Sequence, residues 1–98
     1  MRPRFQADAD SNQKIVLGLR RRESAIDFED AHAAGVISLP DPDVLNKAAR
    51  LGRILVSHDR KTMPAHFARF LNSHSSPGLI IVAQDLDIGP CIEDLLLV

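Results

Sequence analysis

The stretch Gly52-Arg-Ile-Leu-Val-Ser57-His-Asp59 decides the fold of this chain. Residues 53–57 are apolar enough to predict a β-strand that is buried on both faces, which is typical of a parallel sheet covered by helices. Gly52 predicts the end of a preceding helix, because glycine readily takes the left-handed conformation found there. His58 and Asp59 then follow the carboxyl end of the strand.

The rest of the chain reads as strands alternating with helices. We predict strands at residues 4–7, 25–28 and 78–83, helices at 11–22, 41–51, 63–71 and 88–98, and a helical turn at 29–34. Such alternation indicates βαβ crossovers and a mostly parallel sheet between helical layers. The sequence therefore predicts a three-layer α/β/α fold over residues 1–98, a length that suits one domain.

Composition narrows the class of protein. Hydrophobic residues make up 45% of the chain and charged residues 26%, which are ordinary values for a globular domain. The net charge of −1 means that any contact with a nucleic acid has to come from local basic patches. A single cysteine favours a reducing compartment. Without an apolar run of about 18 residues or a signal peptide, we expect a cytoplasmic protein with no membrane segment.

Three aspartates fall where this fold would bring them together. Asp8 ends the first strand, Asp41 opens the helix before the central strand, and Asp59 follows the central strand. Sites in parallel sheets form beyond the carboxyl ends of the strands. Asp10 and Asp43 are close neighbours of the first two and are further candidates.

Carboxylates gathered in this way repel one another unless a cation is present. Mg²⁺ and Mn²⁺ prefer oxygen ligands, and either ion can activate water and stabilise a leaving oxygen on a phosphate. Each aspartate also has a purely structural interpretation, however. Asp41 precedes Pro42 and fits the N-cap of a helix, while Asp8 and Asp10 fit a turn.

Other polar residues surround Asp59. The Ser57 hydroxyl could hold a carboxylate, and His58 is a candidate base or metal ligand. Arg60 and Lys61 are candidates for binding the phosphates of a substrate, because they supply positive charge beside the acids.

Four stretches of the sequence resemble small stand-alone PIN-like nucleases of the toxin–antitoxin (VapC-like) type. The opening Arg4-Phe-Gln-Ala-Asp8-Ala-Asp10 is similar to their first strand and acid. The central blocks Asp41-Pro-Asp-Val-Leu-Asn-Lys-Ala48 and Gly52–Asp59 resemble their signature, in which an acid opens a helix and an apolar strand ends in Ser/Thr-x-Asp. Pro77-Gly-Leu-Ile-Ile-Val82 is similar to the strand that usually follows.

The resemblance implies a PIN-like fold and Mg²⁺- or Mn²⁺-dependent cleavage of RNA. It implies that Asp8, Asp41 and Asp59 bind the metal and that Ser57 orients one of them. It also implies a small antitoxin as a partner. Lys61 departs from the pattern, because many relatives carry a second acid there.

Relatives also continue beyond the point where this chain stops. We therefore expect a shortened C-terminal helix, and its apolar end, Leu95-Leu-Leu-Val98, favours a homodimer.

Two other functions compete with the ribonuclease. The Lys61 departure favours a PIN-like domain that binds RNA or a protein without cutting. A receiver-like domain that accepts a phosphoryl group would also carry acids at strand ends. It matches less well, because the expected acid pair after the first strand is represented only by Asp8 and Asp10.

Overall fold

The computed structural model describes residues 3–8, 13–31, 35, 37, 39–82 and 89. Within these ranges the chain forms four strands and three longer helices in alternation. They are β1 (Arg4–Ala7), α1 (Gln13–Arg22), β2 (Asp27–Glu29), α2 (Asp41–Arg50), β3 (Ile54–Ser57), α3 (Met63–Phe70) and β4 (Leu79–Ile81). The predicted α/β class is confirmed.

The four strands form one parallel sheet in the order β2-β1-β3-β4. In this register Phe5 of β1 lies between Phe28 of β2 and Ile54 of β3. The chain thus adds β2 on one side of β1 and β3 on the other. Such a reversal between two neighbouring strands opens a crevice at their carboxyl ends, where open parallel sheets bind ligands. Here the crevice lies between the ends of β1 and β3.

Helices cover both faces of the sheet because side chains along each strand alternate between the two faces. Phe5, Ala7 and Val56 pack with Ile15, Val16 and Leu19 of α1. Leu55, on the opposite face, packs with residues of α2 and α3 that include Val44, Leu45, Ala48, Met63 and Phe70. This two-sided burial explains the apolar run in β3 and is compatible with three α/β/α layers.

The turn between α2 and β3 aligns the central strand. Gly52 has a φ of +68°, in the left-handed region that residues with a Cβ rarely adopt. The Arg53 N–H then donates to the Ala48 carbonyl at 2.9 Å. The predicted role of Gly52 as the end of α2 is confirmed.

Several element boundaries differ from the prediction. β2 begins at Asp27, because Ala25 and Ile26 belong to a turn in which the Ile26 N–H donates to the Glu23 carbonyl at 3.1 Å. β4 spans only Leu79–Ile81. α3 ends at Phe70, one residue before the predicted end at Leu71, and Leu71 at its C-cap is 47% exposed.

Three predictions lie wholly or partly outside the described residues. They are the position of Asp10, the helical turn over 29–34, of which residues 32–34 are not described, and the final helix over 88–98, of which only Gly89 is described, as helical. Glu29 is the last residue of β2 and not part of the predicted turn. Of the helices that are described, none is long and apolar enough to cross a membrane.

Candidate acidic site

The ends of β1 and β3 are joined by one hydroxyl group. Asp8 follows β1, is 6% exposed, and its backbone N–H extends the ladder by donating to the Val56 carbonyl at 2.8 Å. Ser57, the last residue of β3, is fully buried and donates its hydroxyl to Asp8 Oδ2 at 2.8 Å. The same Ser57 Oγ accepts the Asp59 N–H at 3.0 Å. Ser57 therefore links the two predicted acids across the crevice.

Asp59 organises the turn that leads into α3. Its Oδ1 accepts the backbone N–H groups of Lys61 and Thr62, at 3.0 and 2.9 Å. Its Oδ2 accepts a short hydrogen bond from the Thr62 hydroxyl. The Thr62 hydroxyl is the largest cause holding the pKa of Asp59 below its ordinary value. Backbone N–H donors add to this effect, and burial opposes it. Asp59 is therefore a carboxylate at neutral pH.

Asp41 lies on the other side of Thr62. The Thr62 hydroxyl is 3.5 Å from Asp41 Oδ2, and His66 Nε2 is 3.8 Å from the same oxygen. The expected N-cap role of Asp41 is wrong. Pro40 occupies the N-cap, and Asp41 is the first residue of α2, where a carboxylate complements the helix dipole. Its side chain is thus turned toward α3.

Asp43 is separated from this site although it lies only two residues from Asp41. It is exposed and lines a different depression of the surface, together with Asn46, Lys47 and Arg50. The structure thus brings Asp41, rather than Asp43, beside Thr62. We call Asp8, Asp41 and Asp59, with the hydroxyls of Ser57 and Thr62, the acidic edge.

The remaining predicted residues divide into two kinds. His58 is buried, and its Nδ1 lies 2.8 Å from the Val82 carbonyl beyond β4, so this nitrogen is used in holding the sheet edge. Arg60 and Lys61 are exposed beside Asp59, and neither side chain forms an ion pair within the described part of the chain. Their charges are therefore available to an anionic ligand.

The acidic edge fits Mg²⁺ or Mn²⁺ in the type of its ligands, because these ions prefer carboxylate oxygens. Among the described residues, however, no group of three or more His, Cys, Asp or Glu side chains is arranged to hold one metal ion. Two hydrogen-bonding hydroxyls separate the three carboxylates. The chemistry of the donors thus fits these metals.

The sequence interpretation missed Thr62 and His66. Thr62 follows Asp59 by three residues, a spacing at which a side chain and a backbone N–H can bind the same carboxylate. This signal was present in the sequence. His66 is one turn farther along α3, and its proximity to Asp41 depends on how α2 and α3 pack, which no local pattern predicts.

Searches against protein-family models, curated proteins and solved structures found no match to this chain. The resemblance to PIN-like nucleases therefore rests on the sequence motifs alone.

Proposed function

We propose that this protein is a metal-dependent endoribonuclease with a PIN-like fold, and that it acts as the toxin of a toxin–antitoxin pair. The observation that carries the nuclease proposal is the Ser57 hydroxyl, which bonds Asp8 and receives the Asp59 N–H at the crevice between β1 and β3. Acids from separate segments are thus positioned at the edge where parallel sheets form sites. The toxin assignment depends on the family resemblance alone.

Each side chain of the acidic edge has a role in this proposal. Asp8, Asp41 and Asp59 would hold Mg²⁺ or Mn²⁺, which supplies an activated water and offsets charge on the phosphate. Ser57 orients Asp8, and Thr62 orients Asp59. The exposed Arg60 and Lys61 bind RNA phosphates on either side of the cleaved bond.

A specific observation supports a second candidate, a domain that binds RNA without cutting it. Both oxygens of Asp59 accept hydrogen bonds that stabilise the start of α3. Lys61 also stands where the family pattern has another acid. In this alternative Asp59 is a structural residue, and the basic pair beside it binds RNA.

Asp59→Asn and Asp43→Asn distinguish the two functions. Asparagine keeps the Oδ1 atom that accepts the Lys61 and Thr62 N–H groups, so Asp59→Asn should fold. We expect it to cleave single-stranded RNA about 100-fold more slowly or worse, as is typical when a charge-stabilising group is removed. Asp43→Asn removes an equal charge away from the acidic edge and should cleave like wild type.

Calorimetric titration of Mn²⁺ into the same three proteins completes the test. Wild type and Asp43→Asn should bind the ion, and Asp59→Asn should bind it weakly or not at all. Wild-type cleavage rates in folded Asp59→Asn would refute the nuclease proposal. RNA binding by the wild type without cleavage in Mg²⁺ or Mn²⁺ would establish the second candidate.

A further inference from the structure

A pocket opens beside the acidic edge, between the start of α2 and the end of α3. It has a volume of about 310 Å³ and is lined by Pro42, His66, Arg69, Phe70, Ser73 and His74. Ligand pockets in proteins begin at about 300 Å³, so the space suits a small group such as one nucleotide. His66 connects the pocket to the acidic edge, because its Nε2 lies 3.8 Å from Asp41 Oδ2. A ligand in the pocket would therefore reach the acidic edge.

One wall of the pocket is a pair of stacked rings. The rings of Phe70 and His74 are 4.5 Å apart between centroids and only 8° from parallel. Phe70 is buried, whereas His74 is exposed, so the outer face of the imidazole remains accessible. Two further contacts hold His74. Its N–H donates to the Phe70 carbonyl at 2.9 Å, and its Nδ1 lies 2.8 Å from Ser73 Oγ. The exposed ring is thus held in place before any ligand arrives.

The charge of the pocket complements an anion. Arg69 is exposed, and its guanidinium forms no ion pair or side-chain hydrogen bond with the described residues. None of the described residues that line the pocket is acidic. A fixed aromatic ring beside an available cation is the combination with which proteins bind single-stranded nucleic acids, by stacking a base and neutralising its phosphate. Because the net charge of the chain is −1, any contact with a nucleic acid has to come from a local group of basic residues.

We propose that this pocket binds one nucleotide of single-stranded RNA, with the base stacked on His74 and a neighbouring phosphate at Arg69. The inference rests on the proposed ribonuclease function and specifies the form of its substrate. A base within a duplex is already stacked on its neighbours and cannot present a free face to His74. The pocket therefore selects unpaired RNA, and it lies next to the phosphate that the acidic edge would cleave.

The test measures RNA binding without cleavage. A fluorescently labelled, short single-stranded RNA is titrated with protein in a chelator, and fluorescence anisotropy gives Kd. We expect Arg69→Gln and His74→Ala each to raise Kd about five- to tenfold, in line with the loss of a phosphate contact or a stacked base. His74→Phe keeps an aromatic face and should bind within about twofold of wild type.

Arg21→Gln is the matched control for Arg69→Gln. Arg21 is also an exposed arginine near the end of a helix, but α1 covers the opposite face of the sheet. We expect this variant to bind RNA like wild type. A duplex of the same sequence should bind more weakly than the single strand. Circular dichroism of each variant confirms that it is folded.

The inference is overturned if Arg69→Gln and His74→Ala bind single-stranded RNA like wild type, if the duplex binds as tightly, or if wild type binds no RNA. These outcomes are separable from failure of the ribonuclease proposal. Cleavage that depends on Asp59 with unchanged binding in the pocket variants would refute only the pocket. Binding that depends on Arg69 and His74, without cleavage in either metal, would support the pocket and refute the nuclease.

Discussion

The two ends of the parallel sheet hold their charged residues in different ways. At the amino end, Arg53 is 8% exposed and donates to Asp27 Oδ1 at 2.6 Å and to the Phe5 carbonyl at 3.0 Å. Arg4 donates to the other oxygen of Asp27 at 3.0 Å. At the carboxyl end, Asp59 is held by N–H groups and the Thr62 hydroxyl. Within the described chain it has no ion pair, although Arg60 and Lys61 are adjacent in sequence.

This difference separates a stabilising network from a candidate site. A carboxylate with two guanidinium partners has its charge satisfied within the protein and has little to offer a ligand. The pKa of Asp27 is held below its ordinary value mainly by the hydrogen bond from Arg53, against the effect of burial. A carboxylate oriented by neutral donors keeps its negative charge, and such a group can attract a cation. The acidic edge therefore differs from the amino end in chemistry as well as in position.

The largest expected effect on stability is at the amino end. Arg53→Ala removes the hydrogen bonds to Asp27 and Phe5, and it should lower the free energy of unfolding by about 2–3 kcal/mol. Arg60→Ala, at an exposed arginine beside the acidic edge, should change it by less than about 0.5 kcal/mol. Urea unfolding measures both. Equal effects in the two variants would show that the two ends do not differ as described.

Ser57→Ala tests the link across the acidic edge. The variant deprives the buried Asp8 of a hydroxyl donor and the Asp59 N–H of its acceptor, so we expect a loss of about 1–3 kcal/mol. Under the proposed function, cleavage of RNA should also fall, because Asp8 loses its orientation. Ser75→Ala, in the exposed loop before β4, is the control and should alter neither quantity. A stable Ser57→Ala protein with normal cleavage would show that the link serves neither stability nor function.

The smallest effect is the dependence of stability on pH. Asp27 and Asp59 both have a pKa in the folded protein below that in the unfolded chain. As the pH falls below about 4, the unfolded state therefore binds more protons than the folded state does. The stability that these two carboxylates contribute is retained at neutral pH and is lost in this acidic range. Urea unfolding at a series of pH values should show a shallower loss below pH 4 in Asp27→Asn and in Asp59→Asn. A slope identical to wild type in both would contradict the two lowered pKa values.

Local patterns predicted most of the fold. The boundaries of β1, the start of α3 and the end of α2 at Gly52 agree with the sequence interpretation. The start of β2 and the end of α3 at Leu71 differ from the prediction because a turn or a tertiary contact, and not the local sequence pattern, sets each of these boundaries. Residues 25–28 were expected to be a strand, yet pairing of Asp27 with Arg4 and of Phe28 with Phe5 places the strand two residues later.

The candidate site was predicted less completely. The sequence indicated that Asp8 and Asp59 lie at the same edge, and the hydrogen bonds through Ser57 agree with that expectation. It indicated an N-cap role for Asp41 that is wrong, and it missed His66. A shift of one residue in the start of a helix changes which residue is its N-cap, and the sequence pattern does not fix the start that closely. Contacts between α2 and α3 join residues that are far apart in sequence.

The sequence by itself determined the α/β class, the parallel sheet and the acids at its carboxyl end, because periodicity, glycine and helix-start signals act over a few residues. Only the tertiary structure decided that Asp41 rather than Asp43 faces Thr62, that Arg53 is a buried partner of Asp27, and that Phe70 and His74 form a wall of a pocket near Asp41. Each of these depends on the packing of separate elements. The relative positions of these elements follow from the burial of the two apolar cores, and no single segment of the sequence specifies those positions.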